Sequence, residues 1–417
     1  MSSVLGQALR VTRVRRCVLA VALSCVLFAA RDSTGAVDLF TGLYIRQADD
    51  IVVDGNPPIR LTRAYRTKDA RSRAFGIGTN HSYDSFLVGD AARLQYVELV
   101  LQDGARVRYV RTSPGTSYAD AEFVHTSTPT EYFMSRLRWN GDGWDIDLRD
   151  GRRYSFLDCS PVERKTVPCA LIGYRDARGY RLRLTRDSFG NLTRISGGRF
   201  RNVYLHHDAA HRVTRAETGL GLAMTTVDYM YDAPGRLTKV SWSHLSLRSV
   251  LSELLRSYEA FRLPSLRAMW VMYTMEYTYD DEHRMRTIKE PHIAITNHYD
   301  LAGRVSEQDV AGWGTWTFQY TTDEKSRVIQ TDMVNPDGLH ERTLYNRDGY
   351  PVRDTSSPDR QNEQITVYER MAGTNVVVRL SVKCRAHDGA PVNVSATVAS
   401  TETDDTVRRR LLKGCAR

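Results

Sequence analysis

Six cysteines in 417 residues are few, and no two of them form a C-x-x-C pair. A zinc ribbon and a thioredoxin-type redox centre are thereby excluded. No apolar run reaches the ~20 residues that a spanning helix needs. H-E-x-x-H, G-x-S-x-G and phosphate-loop motifs are missing. His340-Glu341 lacks the second histidine, and Gly219-Leu220-Gly221 is not continued into a dinucleotide fingerprint. The chain is therefore expected to be no enzyme, with no catalytic residue, metal site or cofactor. Two histidine groups compete with that expectation. His81 invites a catalytic reading, and His206, His207 and His211 invite a metal reading. No nucleophile or ligand spacing surrounds them, so hydrogen-bonded structural roles are expected. A hydrolase built on either group is the lesser alternative.

The longest apolar run, Cys17–Ala30, follows a basic stretch at Arg10, Arg13, Arg15 and Arg16. That order reads as a signal peptide over 1–36, cleaved after Ala30 or Ala36; an uncleaved anchor is the other reading. The mature protein is expected to be secreted, periplasmic or on the envelope of a bacterium, touching membrane only through this segment. Removing it lowers the formal charge from +9 to about +5. The remaining positive charge is spread over many arginines, so no nucleic-acid partner is expected. Export leaves Cys159, Cys169, Cys384 and Cys415, an even number in an oxidising compartment. Three pairings exist; Cys159–Cys169, closing a loop that contains Pro161 and Pro168, and Cys384–Cys415, stapling the C-terminal segment, are favoured. A composition 41% hydrophobic and 26% charged is ordinary for a soluble globular chain.

What the chain does have is a repeat. Around Tyr231-Asp232-Ala233-Pro234-Gly235-Arg236-Leu237, alternating Val227, Tyr229 and Tyr231 lead into an acidic turn, and Leu237 and Val240 lead out. Eight turns share the pattern, at Asp176, Asp187, Asp208, Asp232, Asp280, Asp300, Asp323 and Asn346. Glycine stands three residues on at Gly179, Gly190, Gly235, Gly303 and Gly349; His211, His283 and Ser326 replace it elsewhere. Arg212, Arg236, Arg284, Arg304 and Arg327 follow. Tyr231, Tyr279, Tyr299 and Tyr345 precede the acid. A period of 20–24 residues, each with one turn and two strands, signals hairpins pairing into one long sheet. The 48 residues between Asp232 and Asp280 span two periods, as if one hairpin were replaced.

Tyr231–Val240 and Tyr299–Val305 resemble the YD repeats of Rhs proteins, over roughly 174–355. Asp38, Thr41-Gly42, Pro58–Tyr65 and Phe75-Gly76-Ile77-Gly78 before His81-Ser82-Tyr83 resemble the domain of unknown function that precedes such repeats. Thr79 stands where family members usually carry Trp. The resemblance implies a hollow β shell, carbohydrate binding, and roles at the cell surface or in intercellular competition. No toxin-boundary motif and no toxin domain is matched.

Asx-Gly turns at Asp103-Gly104, Asn140-Gly141 and Asp150-Gly151 read as hairpins in an N-terminal β domain over 37–157. The YD-repeat region follows over 158–355. Leu247, Val250, Leu251, Leu254, Leu255, Tyr258 and Phe261 fall at helical spacing inside a helical insertion over 241–275; Pro264 ends that run, and Leu266, Met269, Trp270 and Met272 follow. It is read as packing on the sheet; a partner-binding or membrane-interfacial helix is the sharper reading. After a linker at 356–359, residues 365–417 read as a small α+β segment.

The fold class expected is mainly β: antiparallel hairpin repeats in a long curled sheet, a partial Rhs-type shell in the form of an open trough or partial spiral. The function expected is an exported, non-enzymatic YD-repeat scaffold presenting a surface of tyrosines and arginines to a carbohydrate or protein. A toxin-delivery component or effector, with activity in 365–417, is the alternative. No residue is assigned to ligand binding.

Overall fold

Apolar residues at every second position are realised as strand almost throughout. The computed structural model describes residues 33–89, 94–115, 117, 119–158, 169–219, 224–245, 270–358, 363–385, 391–398 and 404–415. Within them lie 31 strands and one helix, Asp404–Cys415.

Residues 33–83 build a small four-stranded antiparallel sheet in the order Ser33–Val37, Tyr44–Val53, Ile59–Arg66, Thr79–His81. Tyr44, Ile59, Leu61, Tyr65 and Phe75 of this module are fully buried and share one apolar core with the main sheet.

The main sheet starts with eight antiparallel strands, from Phe86–Gly89 to Cys169–Arg175. Cys169–Arg175 divides one of its edges between two partners. Its beginning pairs back to Phe86–Gly89, with Cys169 opposite Leu87. Its end pairs forward to Arg181–Arg186, with Gly173 opposite Arg183. The first eight strands thus close on themselves, and the sheet continues from the seam, hairpin by hairpin, to Pro391–Thr397. Of the trough and the partial spiral expected, the trough is corrected: the long antiparallel sheet wraps into a barrel-like shell. The pairing of Phe86–Gly89 with Cys169–Arg175 removes the free edge at the start of the sheet; Pro391–Thr397, at its other end, pairs with Val377–Arg385 on one side.

The helical insertion expected at 241–275 is corrected at both ends. Leu237–Leu245 and Trp270–Tyr279 are strands paired with each other, from Lys239 opposite Glu276 to Leu245 opposite Trp270. No sheet position is vacant. The doubled spacing is an insertion in the connection between two adjacent strands, and 246–269 lies outside the described residues. The apolar cluster at Trp270–Met272 prolonged the helical pattern, but β-prone Val271, Tyr273 and Thr274 pair across the sheet.

The wall also continues past the expected linker at 356–359. Gln364–Arg370 pairs with Pro351–Ser356, and Val377–Arg385 and Pro391–Thr397 follow in order. The helix Asp404–Cys415 covers these last strands. Its Val407 and Leu411 join Val377, Leu380 and Val382 in a second, smaller core.

Candidate functional site

The residues singled out by the repeat meet at the corners of the hairpins. In all eight turns one side-chain oxygen of the Asp or Asn accepts two backbone N–H groups at 2.7–3.1 Å. Seven use the amides two and four residues on. Asp232 uses Gly235 and Arg236 instead, because Pro234 has no N–H to give. The residue three positions on has φ between 60° and 96° in every turn. His211, His283 and Ser326 adopt this left-handed conformation as the glycines do. An oxygen that binds two amides holds the turn where a β-carbon disfavours it.

Strand counting separates one turn from the rest. Only Arg181–Arg186 lies between Asp176 and Asp187, so these two sit at opposite rims of the wall. Asp187, Asp208, Asp232, Asp280, Asp300, Asp323 and Asn346 are spaced by two strands each and share one rim. Each of those seven is preceded by a register shift; Asp176 is not. The shift places one extra residue in the outgoing strand, a β-bulge that turns the corner more sharply. Where that residue is Thr193, Thr214, Thr238 or Ser306, its hydroxyl donates to the carbonyl two residues before the acid. Sequence reasoning missed this hydroxyl six positions after the acid, although the spacing is visible.

Arginine and tyrosine link each corner to the next. Nε of Arg212, Arg236, Arg284, Arg304 and Arg327 donates to the second carboxylate oxygen of its own corner at 2.6–2.9 Å. Four of these guanidiniums lie 4.6–5.4 Å from the ring of a tyrosine in the following hairpin: Tyr231, Tyr279, Tyr299 and Tyr320. Each tyrosine hydroxyl donates back at 2.6–2.8 Å to the carbonyl after that arginine, at Val213, Leu237, Met285 and Val305. Burial pushes the hydroxyls of Tyr231, Tyr279 and Tyr299 above the usual phenol range, so they remain donors. Tyr320 takes this part from three residues before its acid, a shift the YD pattern did not reveal. At these four corners tyrosine and arginine thus spend their polar groups on the wall itself, and the expectation of an exposed binding row is corrected there; Tyr345 Oη makes no hydrogen bond among the described residues, and Arg327 bonds only its own corner acid.

The 33–83 module closes over this rim. The amides of Val213, Met285 and Val305 donate to Ala74 O, Tyr65 Oη and Gly42 O. Tyr65 Oη in turn donates to His283 O. Ile77 donates to Gly235 O, and a β-carbon on Gly76, whose φ is +83°, would lie 2.3 Å from that carbonyl. Deeper in, Arg63 holds both carboxylate oxygens of Asp50 at 3.0 and 3.2 Å and donates to Tyr277 Oη. Tyr229 Oη donates to Asp50, and Trp242 Nε1 donates to the Asp50 carbonyl. Asp50 is 0% and Arg63 2% exposed. This buried ion pair belongs to the module; its tyrosine and tryptophan partners belong to the wall.

The remaining candidates are structural in geometry or outside view. His81 is buried, its Nδ1 accepts the Tyr83 N–H at 3.2 Å, and burial pulls its pKa down to about 4. His206 faces Glu217 at 3.3 Å, while His211 Nδ1 accepts from Asn191 and its ring packs on Phe189. Among the described residues, three ligand atoms converge instead at His298, Glu307 and Asp309, on the surface. Cys169 and Cys384 are buried. Cys159 and the side chain of Cys415 lie outside the described residues, and with them both expected pairings.

The family described as a domain of unknown function, DUF6531, matches residues 34–109. No curated protein matches. The crystal structure of TcdB2-TccC3-Cdc42 is similar at 11% identity with a TM-score of 0.26, over 85% of this chain and 25% of that one. That of TcdB2-TccC3-TEV is similar at 10% identity with a TM-score of 0.22, over 85% and 26%. A porin-like protein from Bacteroides uniformis gives 12% identity and a TM-score of 0.18, over 45% of this chain and 90% of that one. The chain spans about a quarter of the length of the first two.

Proposed function

We propose that the chain is an exported, non-enzymatic YD-repeat scaffold of the Rhs type, whose shell presents a surface to a carbohydrate or protein at the bacterial envelope. One observation carries this reading: at four successive corners the arginine and tyrosine of the repeat join one hairpin to the next. A repeat so constructed is architecture, and recognition falls to the faces it holds in place. The DUF6531 match at 34–109 falls where the Rhs resemblance places the domain before the repeats. The continuation of the wall through Gln364–Arg370 favours a scaffold over a separate effector segment.

The leader at 1–36 directs export in this reading. Cleavage after Ala30 leaves Ser33–Val37 intact to pair with Tyr44–Val53, whereas cleavage after Ala36 removes most of that strand. In the oxidising compartment Cys159–Cys169 and Cys384–Cys415 form, which non-reducing peptide mapping checks. The functional test is binding of the mature protein to arrayed glycans and to bacterial surface proteins. Saturable binding supports the scaffold. Growth arrest on cytoplasmic expression of the chain, without binding to either array, supports an effector instead.

A further inference from the structure

A cavity of about 720 Å³ lies across the seam where the ring of eight strands passes into the repeats. It opens on the face opposite the apolar core. The registers place Asp145, Ser155, Gly173, Arg183 and Ser196 in one row across five strands. Gly173 is the low point of that row. Its position carries no side chain between Ser155 and Arg183, and a β-carbon there meets nothing closer than 3.6 Å. The absence of a side chain is therefore not required by packing; it leaves a floor.

The walls of this groove are basic. Arg175 and Arg181 stand beside the floor in the adjoining row, and Arg194 opposite Thr185 on the other side. Arg153 is neutralised by Asp145 and Asp147. Arg194 is held by Asn202 and stacks on Tyr204. Arg175, Arg181 and Arg183 face no carboxylate among the described residues, and Arg175 Nε is buried without a hydrogen-bond partner. Three guanidiniums so placed cost mutual repulsion that a bound anion relieves.

We infer that this groove binds an acidic oligosaccharide, one bearing carboxylate or sulfate groups. The inference rests on the scaffold reading and names the ligand class for it. The guanidiniums take the anionic groups in fork geometry. Thr185 supplies a hydroxyl to a sugar hydroxyl, while Ser155 and Ser196, whose own hydrogens go to Asp145 and Gly198 O, can accept from one. A nucleic-acid chain fits less well: Tyr204 is already covered by Arg194 and Tyr174 packs on Tyr154, so neither ring is left to stack on a base. An acidic peptide lacks the hydroxyls that match this floor.

The test measures binding of the full mature chain, at physiological salt, to oligogalacturonate, heparin-derived oligosaccharide, neutral dextran, poly-glutamate and single-stranded DNA. Binding to one of the two acidic sugars is expected, and which one tells carboxylate from sulfate. The triple variant Arg175→Gln, Arg181→Gln, Arg183→Gln should weaken it at least tenfold. Gly173→Gln, which fills the floor without backbone strain, should do so with an unchanged melting temperature. Equal or tighter binding of poly-glutamate or DNA overturns the inference. So does acidic-sugar binding that both variants leave intact. Binding of dextran alone, insensitive to the variants, overturns the groove and keeps the scaffold. Failure of every glycan and surface protein to bind overturns both.

Discussion

At the rim carrying Asp187 through Asn346, each turn has the same oxygen donated to by two amides, the same left-handed residue and the same bulge. At the opposite rim, the turns around Gly198, Glu290–Ile293, Gly312 and Asn335–Gly338 share no residue pattern, although Asn335 closes its turn much as the corner acids do. The paired strand ends Leu245 and Trp270 also lie at that second rim. The difference follows from what each rim meets. The regular rim must fit one continuous module, residues 33–83, whose groups reach successive corners from Val213 to Val305. A turn of another shape there would leave buried amides unpaired, at about 1–3 kcal/mol each. The other rim meets the module at two of these turns, where Arg201 donates to Asn56 O and Pro57 O and Glu290 pairs with Arg46; its Gly312 and Gly338 turns are exposed and tolerate variation.

Changes on the module side of this comparison should have the largest effect. Arg63→Ala leaves the Asp50 carboxylate buried with hydroxyl partners only, and should lower the unfolding free energy by about 3–5 kcal/mol in urea titrations. Arg183→Ala, exposed on the outer face, should change it by no more than about 0.5 kcal/mol. Comparable losses would mean that module and wall are not fastened at this pair.

A pH titration of stability sharpens the same point. Burial lowers the pKa of His81 to about 4, against 6.5 in the unfolded chain. Between these values the unfolded state binds more protons, so stability is complete above pH 6.5 and is lost as pH falls towards 4. The loss is of order 3 kcal/mol. His81→Gln should flatten that window.

The rims themselves are compared by removing one acid from each. Asp300→Ala deletes an acceptor for two amides and the partner of Arg304, and should cost about 2 kcal/mol. Asp176→Ala deletes only two exposed turn bonds and should cost about 1 kcal/mol or less. Smaller still, Tyr279→Phe and Tyr299→Phe should each cost about 1 kcal/mol through the lost hydroxyl bond. The double variant should be additive, because the two serve different seams.

Much of the wall was legible because its information is local. Asx and glycine fix a turn within five residues, and alternation fixes the strands on either side. The same locality hid the rest. That Asp176 faces away from the other corners follows from an odd number of strands, and its eleven-residue spacing was the visible trace. That the shell closes depends on Cys169–Arg175 pairing at once with Phe86–Gly89 and Arg181–Arg186, partners far apart in sequence. That the doubled repeat is an insertion depends on Leu245 meeting Trp270 directly. The polar groups of Tyr231 and Arg212 look available to a ligand in the sequence alone, because sequence does not show the carbonyl of Val213 beside them. The arginine groove stayed hidden for a like reason: Arg175, Arg181, Arg183 and Arg194 become neighbours only through strand register, and Gly173 becomes a floor only once they do.

Amide hydrogen exchange at Val213, Met285 and Val305 tests most directly whether the 33–83 module seals the corner rim. The account predicts that these three exchange only on global unfolding, far more slowly than the turn amides of Gly312 and Gly338 at the other rim. Exchange at all five on one fast timescale would contradict it.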